Sequence, residues 1–317
     1  MAAESDEDLG LKKPPQGGGH GRVGHVSVLS KEAIDFLAVK RGGTYIDATL
    51  GLGGHSYEIA RRLGPQGRLI GFDKDPHALQ LAQRRLSPAP GAEREWPQVI
   101  LVHASFAELE ERTSSALADG ILADLGLSSL QLDDPNRGFS FQAEGPLDMR
   151  MDPHNERTAD QVVNRMREED LANVIYEFGD ERRSRRIARA IVRARPVRTT
   201  AHLAQVISAA LRSMKHTAIH PATRTFQAIR IFVNRELEDL EELLAAAPGV
   251  LKTGGRLVVI SFHSLEDRRV KDAMREGAAK GVFQILTKKP VTAGDEEVDR
   301  NPRARSAKLR AAEKIGQ

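Results

Sequence analysis

Ten residues, Asp47-Ala-Thr-Leu-Gly51-Leu-Gly53-Gly54-His55-Ser56, place a carboxylate, three glycines and an imidazole where an apolar strand should turn into a helix. Glycine backbone lets a ligand come close to main-chain groups that a side chain would screen. Asp73 ends the next apolar run, roughly 20 residues beyond the loop, the offset at which an acid receives ribose hydroxyls. Asp75 can cap the helix that follows, with Pro76 at its first position. The dinucleotide spacing G-x-G-x-x-G fails, because Gly51, Gly53 and Gly54 are followed by His55 and Ser56. Acids ending two successive strands fit S-adenosyl-L-methionine better. A tight turn with no ligand is the competing reading.

A further carboxylate, Asp124, closes the run Gly120-Ile-Leu-Ala-Asp124. Ligands of open α/β sheets lie at the carboxyl ends of strands, so Asp124 should sit beside the cofactor. An acid there could serve amine methylation. The amino lone pair of cytosine is delocalised into the ring, and acceptors at its N–H groups orient the nitrogen towards a methyl donor. Many amino-methyltransferases carry two prolines after this acid, and this chain carries none. Asp124 could instead touch only the cofactor, or cap the next segment. The chain has no cysteine. That excludes disulfides, cysteine-held zinc and the thiol adduct normally used to methylate carbon 5 of a pyrimidine.

These groups need a sheet to hold them. Short β-rich runs alternate with amphipathic stretches from His25 onward, the pattern of a parallel sheet with helical crossovers. The predicted strands are Thr44–Asp47, Arg68–Asp73, Gln98–Val102, Gly120–Asp124 and Arg256–Phe262, with helices near Ser56–Leu63, Pro76–Leu86 and Thr223–Leu244. The stretch between the fourth and fifth strands is polar, arginine-rich and far longer than one crossover needs. It reads as an inserted helical domain over 132–219, within a discontinuous domain of 25–131 and 220–317. Residues 1–24 are acidic, then rich in proline and glycine, and should be a disordered extension. No apolar run is long enough to span a bilayer and no signal peptide is visible, so the expected location is the cytoplasm.

Arg182, Arg185, Arg186, Arg189 and Arg193 fall on one face of a helix whose other face carries Ile187, Ala190, Ile191 and Ala194. Five like charges suit a phosphate backbone, or form a solvated face paired with local acids. A second basic run, Arg300, Arg303, Arg305, Lys308 and Arg310, reads as a mobile tail. Phe226, Ile229, Val233, Leu237, Leu240 and Leu244 keep helical spacing and belong to a core. Ser264 with Asp267 resembles a capping box, and His263 reads as a structural histidine rather than a substrate contact.

Five segments together resemble the bacterial 16S rRNA (cytosine-N4)-methyltransferase family (RsmH/MraW). They are His25-Val-Ser-Val-Leu; Asp47-Ala-Thr-Leu-Gly-Leu-Gly-Gly-His-Ser; Asp124-Leu-Gly-Leu-Ser-Ser-Leu-Gln-Leu-Asp-Asp with Arg137-Gly-Phe-Ser-Phe and Pro146-Leu-Asp-Met-Arg-Met-Asp152; His220-Pro-Ala-Thr-Arg-Thr-Phe-Gln-Ala-Ile-Arg; and Ile260-Ser-Phe-His-Ser-Leu-Glu-Asp with Asn301-Pro-Arg-Ala-Arg-Ser. The resemblance runs from His25 to about Arg310, except for the N-terminal extension and the region 281–298. It implies a Rossmann-like class I S-adenosylmethionine-dependent methyltransferase fold with a helical insert, acting on a cytosine of the decoding region. It also implies cofactor contacts at Gly53, Gly54, His55, Asp73, Phe106, Asp124 and Gln131, with Phe106 placed to lie against the adenine. The implied partner is 16S rRNA or the small ribosomal subunit, with no metal, no membrane and room for a homodimer. Two other readings share the same core: a methyltransferase of small molecules or proteins, and a ribosome-assembly factor that only binds S-adenosylmethionine.

Overall fold

The computed structural model describes residues 27–113, 117–211 and 220–316. The expected disordered extension and the carboxyl-terminal end of the expected insert lie outside the described residues. The strands are β1 (Thr44–Asp47), β2 (Arg68–Asp73), β3 (Gln98–His103), β4 (Ala118–Asp124), β5 (Leu251–Ser261), β6 (Phe283–Ile285) and β7 (Lys308–Lys314). The helices are α1 (Ser30–Leu37), α2 (Gly54–Leu63), α3 (Pro76–Arg85), α4 (Leu109–Thr113), α5 (Ser129–Asp133), α6 (Ala159–Arg165), α7 (Glu168–Gly179), α8 (Ser184–Ala194), α9 (Thr200–Leu211), α10 (Thr223–Asn234), α11 (Glu236–Val250), α12 (Ser264–Ala279) and α13 (Asp295–Arg300).

Among the described residues, one sheet runs in the order β3-β2-β1-β4-β5-β7-β6. β1 to β5 are parallel, and β7 runs antiparallel to both β5 and β6. This mixed α/β sheet is Rossmann-like. The strand order reverses beside β1, so the loops after β1 and β4 part there and open a crevice.

Adjacent strand residues serve opposite faces, as a pleated strand requires. Ile46, Ile70, Ile121 and Val259 pack with Leu240, Leu243 and Ala247 of α11 and with Met274 of α12. Tyr45, Leu69, Leu122 and Val258 pack with Ile34 of α1, Ile59 of α2 and Ala82 of α3. A separate cluster joins α6 to α10, with Val162, Ile175, Ile187, Ile191, Ile207, Phe226 and Val233 at its centre. Three acids in the first turn of α7, Glu168, Glu169 and Asp170, favour its start against the helix dipole.

The structure departs from expectation in three places. The apolar spacing from Phe226 to Leu244 is uninterrupted, yet α10 and α11 are separate helices because Arg235 adopts the left-handed conformation, with φ 55°. The expected Ser264–Asp267 capping box is replaced by one between His263 and Glu266, one residue earlier. Asp267 instead accepts from Arg310 Nε at 2.7 Å.

The third departure is the expected mobile tail: Arg300 ends α13, Arg303 and Arg305 lie in a 3-10 turn, and Lys308 and Arg310 belong to a strand. β7 lies between β5 and β6 with Leu309, Ala311 and Ala312 fully buried, and Arg310 is buried against Asp267. Leu309→Ala should therefore cost about 2–5 kcal/mol of stability, as for other buried leucines. Urea denaturation checks this, and a loss below about 0.5 kcal/mol would mean that β7 contributes no core.

Candidate active site

The loop after β1 is built around three carboxylates, each at the end of a strand. Asp47 accepts from Ser56 Oγ at 2.7 Å and from the Thr49 amide at 3.1 Å. Thr49 Oγ1 in turn accepts from the Asp124 amide at 2.6 Å, which ties β1 to β4. Asp73 accepts from the Gly51 amide at 2.8 Å and from the Asp75 amide at 2.8 Å. Burial pushes the Asp73 carboxyl up to about 6, although both amides oppose this. Burial raises Asp47 as well, against the Ser56 hydroxyl and the His55 ring.

Gly53 begins α2 with φ 73°, a conformation that L side chains rarely adopt, and an added Cβ would stand 3.4 Å from the Ala82 Cβ. At Gly54 an added Cβ would come within 2.0 Å of Ser27 Oγ. Any larger residue at these two positions would displace the loop from α3 and from the segment before α1.

His55 is not a surface residue. Its ring is buried, with Nε2 3.3 Å from Asp124 Oδ2 but off the hydrogen-bonding line, so neither ring nitrogen nor Asp124 Oδ1 has a hydrogen-bond partner. Burial works against the imidazolium, but the Asp124 carboxylate, with Asp47 behind it, holds the His55 pKa above its ordinary value. Unsatisfied buried polar atoms are rare, and a cluster of them facing a cavity marks a place where a ligand's polar groups belong.

That cavity has a volume of about 550 Å³, enough for a nucleoside-sized ligand. Gly54, His55, Asp73, Phe106, Asp124 and Gln131 line it, so the structure brings these predicted positions together. Gly53 stands behind them as the residue before α2. Phe106 follows β3 on a segment held by Ser105, whose hydroxyl bonds Asp239. Gln131 is engaged by the protein. Its Oε1 accepts from the Ser128 amide at 3.1 Å and its Nε2 donates to Asp75 at 3.2 Å. Asp75 also caps α3, as expected, and is ion-paired to Arg137 at 2.7 Å. The donor set fits S-adenosylmethionine, with a strand-end carboxylate for ribose hydroxyls, an aromatic ring and an open glycine turn.

Arg182, Arg185, Arg186, Arg189 and Arg193 are exposed, and none lines the cavity. Ser184, Ile187, Ala188 and Ile191 form the buried face of α8. Arg189 meets Glu168 at 3.4 Å, a single exposed pair that leaves the face strongly positive.

The cavity also has residues to which the sequence assigned no role of their own. Arg230 lines it, with its guanidinium held by Glu236 through Nε at 2.8 Å and Nη2 at 2.7 Å. Burial disfavours its charge, but Glu236 and Glu266 hold its pKa raised. Glu266 accepts from the Phe262 amide at 2.8 Å and lies 3.0 Å from His263 Nε2. Its carboxyl stays low despite burial because His263 and Arg230 stabilise the charge. In the sequence Arg230 stands out only as the last residue of the family-like segment that begins at His220 and as a charge inside the apolar run Ile229-Arg230-Ile231. Away from the cavity lining, exposed His103 and His154 approach Asp152, the one such grouping among the described residues with metal-ligating atoms close together.

The family model described as the MraW methylase family matches residues 22–315. The chain is 69% identical over 291 residues to the ribosomal RNA small subunit methyltransferase H of Koribacter versatilis, covering 91% of this chain and 93% of that one. It is 64% identical over 295 residues to the protein of the same name from Acidobacterium capsulatum, covering 92% and 99%. The counterpart in Sorangium cellulosum is 51% identical over 298 residues, covering 92% and 91%.

Proposed function

Since this chain belongs to the MraW methylase family, we propose that it methylates the exocyclic N4 amine of a cytosine in the decoding region of 16S rRNA, using S-adenosylmethionine. The observation that carries the chemistry is the unpartnered Asp124 Oδ1 at the carboxyl end of β4, inside the glycine-walled cavity. Bound S-adenosylmethionine supplies an electrophilic methyl group on sulfur. Asp73 would hold its ribose hydroxyls, and Phe106 would cover its adenine. Asp124 accepts an N–H of the amine and points the nitrogen at the methyl group. The same carboxylate would take up the amine proton released when the nitrogen accepts the methyl group. His55 braces the other Asp124 oxygen. The step needs positioning and electrostatics rather than a metal or a covalent adduct.

The helical cluster within 132–219 is the proposed recognition module, and the face of Arg182, Arg185, Arg186, Arg189 and Arg193 its phosphate-binding surface. The target base leaves its stack to enter the cavity. Among the described residues no helix is long and apolar enough to cross a membrane, and the proposed ribosomal substrate supports a cytoplasmic location.

Incubating small subunits with the protein and isotopically labelled S-adenosylmethionine, followed by nucleoside mass spectrometry, should show labelled N4-methylcytidine. Label in another nucleoside, or none, would refute the reading. Replacing Arg182, Arg185 and Arg186 together by alanine should reduce the slope of log affinity against log salt by about 2–3, as expected for three lost phosphate contacts. An unchanged slope would assign RNA binding to another surface.

A further inference from the structure

The cavity extends past Asp124 to the ends of β5 and α10, and the groups there carry a hydrogen-bonding pattern of their own. Arg230 and Glu236 are six residues apart, which on one continuous helix would put them on different sides. The left-handed Arg235 breaks the helix between them and lets Glu236 grip the guanidinium. Glu236 occupies the Nε–Nη2 edge. A guanidinium has five N–H donors, so the Nη1–Nη2 end still offers two parallel ones. Nη1 bonds no protein atom among the described residues and is not a fully buried atom. Glu266 accepts from the Phe262 and His263 amides, and among the described residues no hydrogen bond joins it to Arg230. Asp124, with its unpartnered oxygen, lines the same cavity.

We propose that Arg230 and Asp124 together form a pyrimidine-reading subsite, in which the free end of the Arg230 guanidinium donates to O2 and N3 of the target base while Asp124 accepts from its amine. This rests on the functional reading above. Two donors beside an acceptor complement the acceptor–acceptor–donor edge of cytosine. Uracil presents a donor at N3 and an acceptor at position 4, so it meets both protein groups with the wrong sign. Reading a flipped base along its Watson–Crick edge is the usual way such enzymes choose their target. A fork-shaped guanidinium suits two adjacent acceptors as no ammonium can. Glu236 acts as a positioning residue, because it fixes the plane and direction of the fork.

The test is single-turnover methyl transfer with saturating small subunits and S-adenosylmethionine, comparing wild type, Arg230→Lys and Glu236→Gln. Arg230→Lys should slow transfer roughly 10- to 100-fold, with cofactor affinity and the half-saturating subunit concentration within about two-fold of wild type. Glu236→Gln should give a smaller loss. Subunits carrying 3-deazacytidine at the target lack the N3 acceptor, and should slow the wild type by roughly ten-fold while adding no penalty in Arg230→Lys. Transfer by Arg230→Lys within about two-fold of wild type on cytidine, or independent penalties that simply multiply, would overturn the inference. Should Arg230→Lys fail to unfold cooperatively, the same comparison between wild type and Glu236→Gln decides it, a smaller deaza penalty in Glu236→Gln supporting the inference and an equal one overturning it. A wild type that methylates no cytosine refutes the functional reading, and that failure is told apart because the control itself is inert.

Discussion

Asp124→Asn should lower the single-turnover methyl-transfer rate by roughly 10²- to 10³-fold while S-adenosylmethionine affinity stays within a few-fold. The carboxamide keeps the size of the side chain and one oxygen, but it loses the charge and can present an N–H to an amine that needs acceptors. The Thr49 bond to the Asp124 amide is a main-chain contact and survives the change, so the link between β1 and β4 stays in place. Quench-flow transfer and calorimetric binding measured on the same preparation separate the two effects. A variant that transfers at more than about a third of the wild-type rate would remove Asp124 from the chemistry. Equal losses of binding and transfer would make it a cofactor ligand alone.

Asp73→Asn should weaken S-adenosylmethionine binding by about 10²-fold, since two hydrogen bonds to a charged acceptor are lost or reversed. The pH dependence follows from its raised pKa of about 6. Ribose hydroxyls donate to the ionised form, so affinity should fall as pH drops through 6, approaching ten-fold for each unit below it. The ligand-free protein responds in the opposite sense. Its folded-state pKa lies above the ordinary value of 3.8, so this group favours the folded protein at low pH, and that contribution fades as pH rises from near 4 to about 6. Asp73→Asn should flatten both profiles over that window. Titration calorimetry and thermal unfolding across pH 4.5–8 check them, and an affinity profile that keeps its slope in the variant would assign the titration to another acid.

The parts of this site that were legible in the sequence are those carried by local pattern. Apolar runs ending in Asp47, Asp73 and Asp124 define three strand ends, and parallel strands bring their carboxyl ends together. The glycine turn announces itself by composition. Arg230 closes one of the family-like segments, but its role was hidden by its neighbours, because Phe226, Ile229 and Val233 mark α10 as core and nothing local shows that one polar position faces a cavity. The break at Arg235 was invisible for the same reason: a single left-handed residue leaves the apolar spacing on either side in phase. β7 was missed because Lys308, Arg310 and Glu313 dilute a short strand that is buried largely through alanines. Its charges are neutralised by Asp267 and Arg256, which are distant in sequence.

β7 is the last strand along the chain, yet it sits inside the sheet, hydrogen-bonded to β5 over Arg256–Ser261. Until Lys308–Lys314 has emerged from the ribosome, a nascent chain holds β5 with an open edge of unpaired amides and carbonyls. Such an edge readily pairs with another chain. The catalytic half of the molecule therefore completes its fold only after synthesis has passed those residues, and a chain cut before Lys308 should accumulate as aggregate rather than as a weaker enzyme.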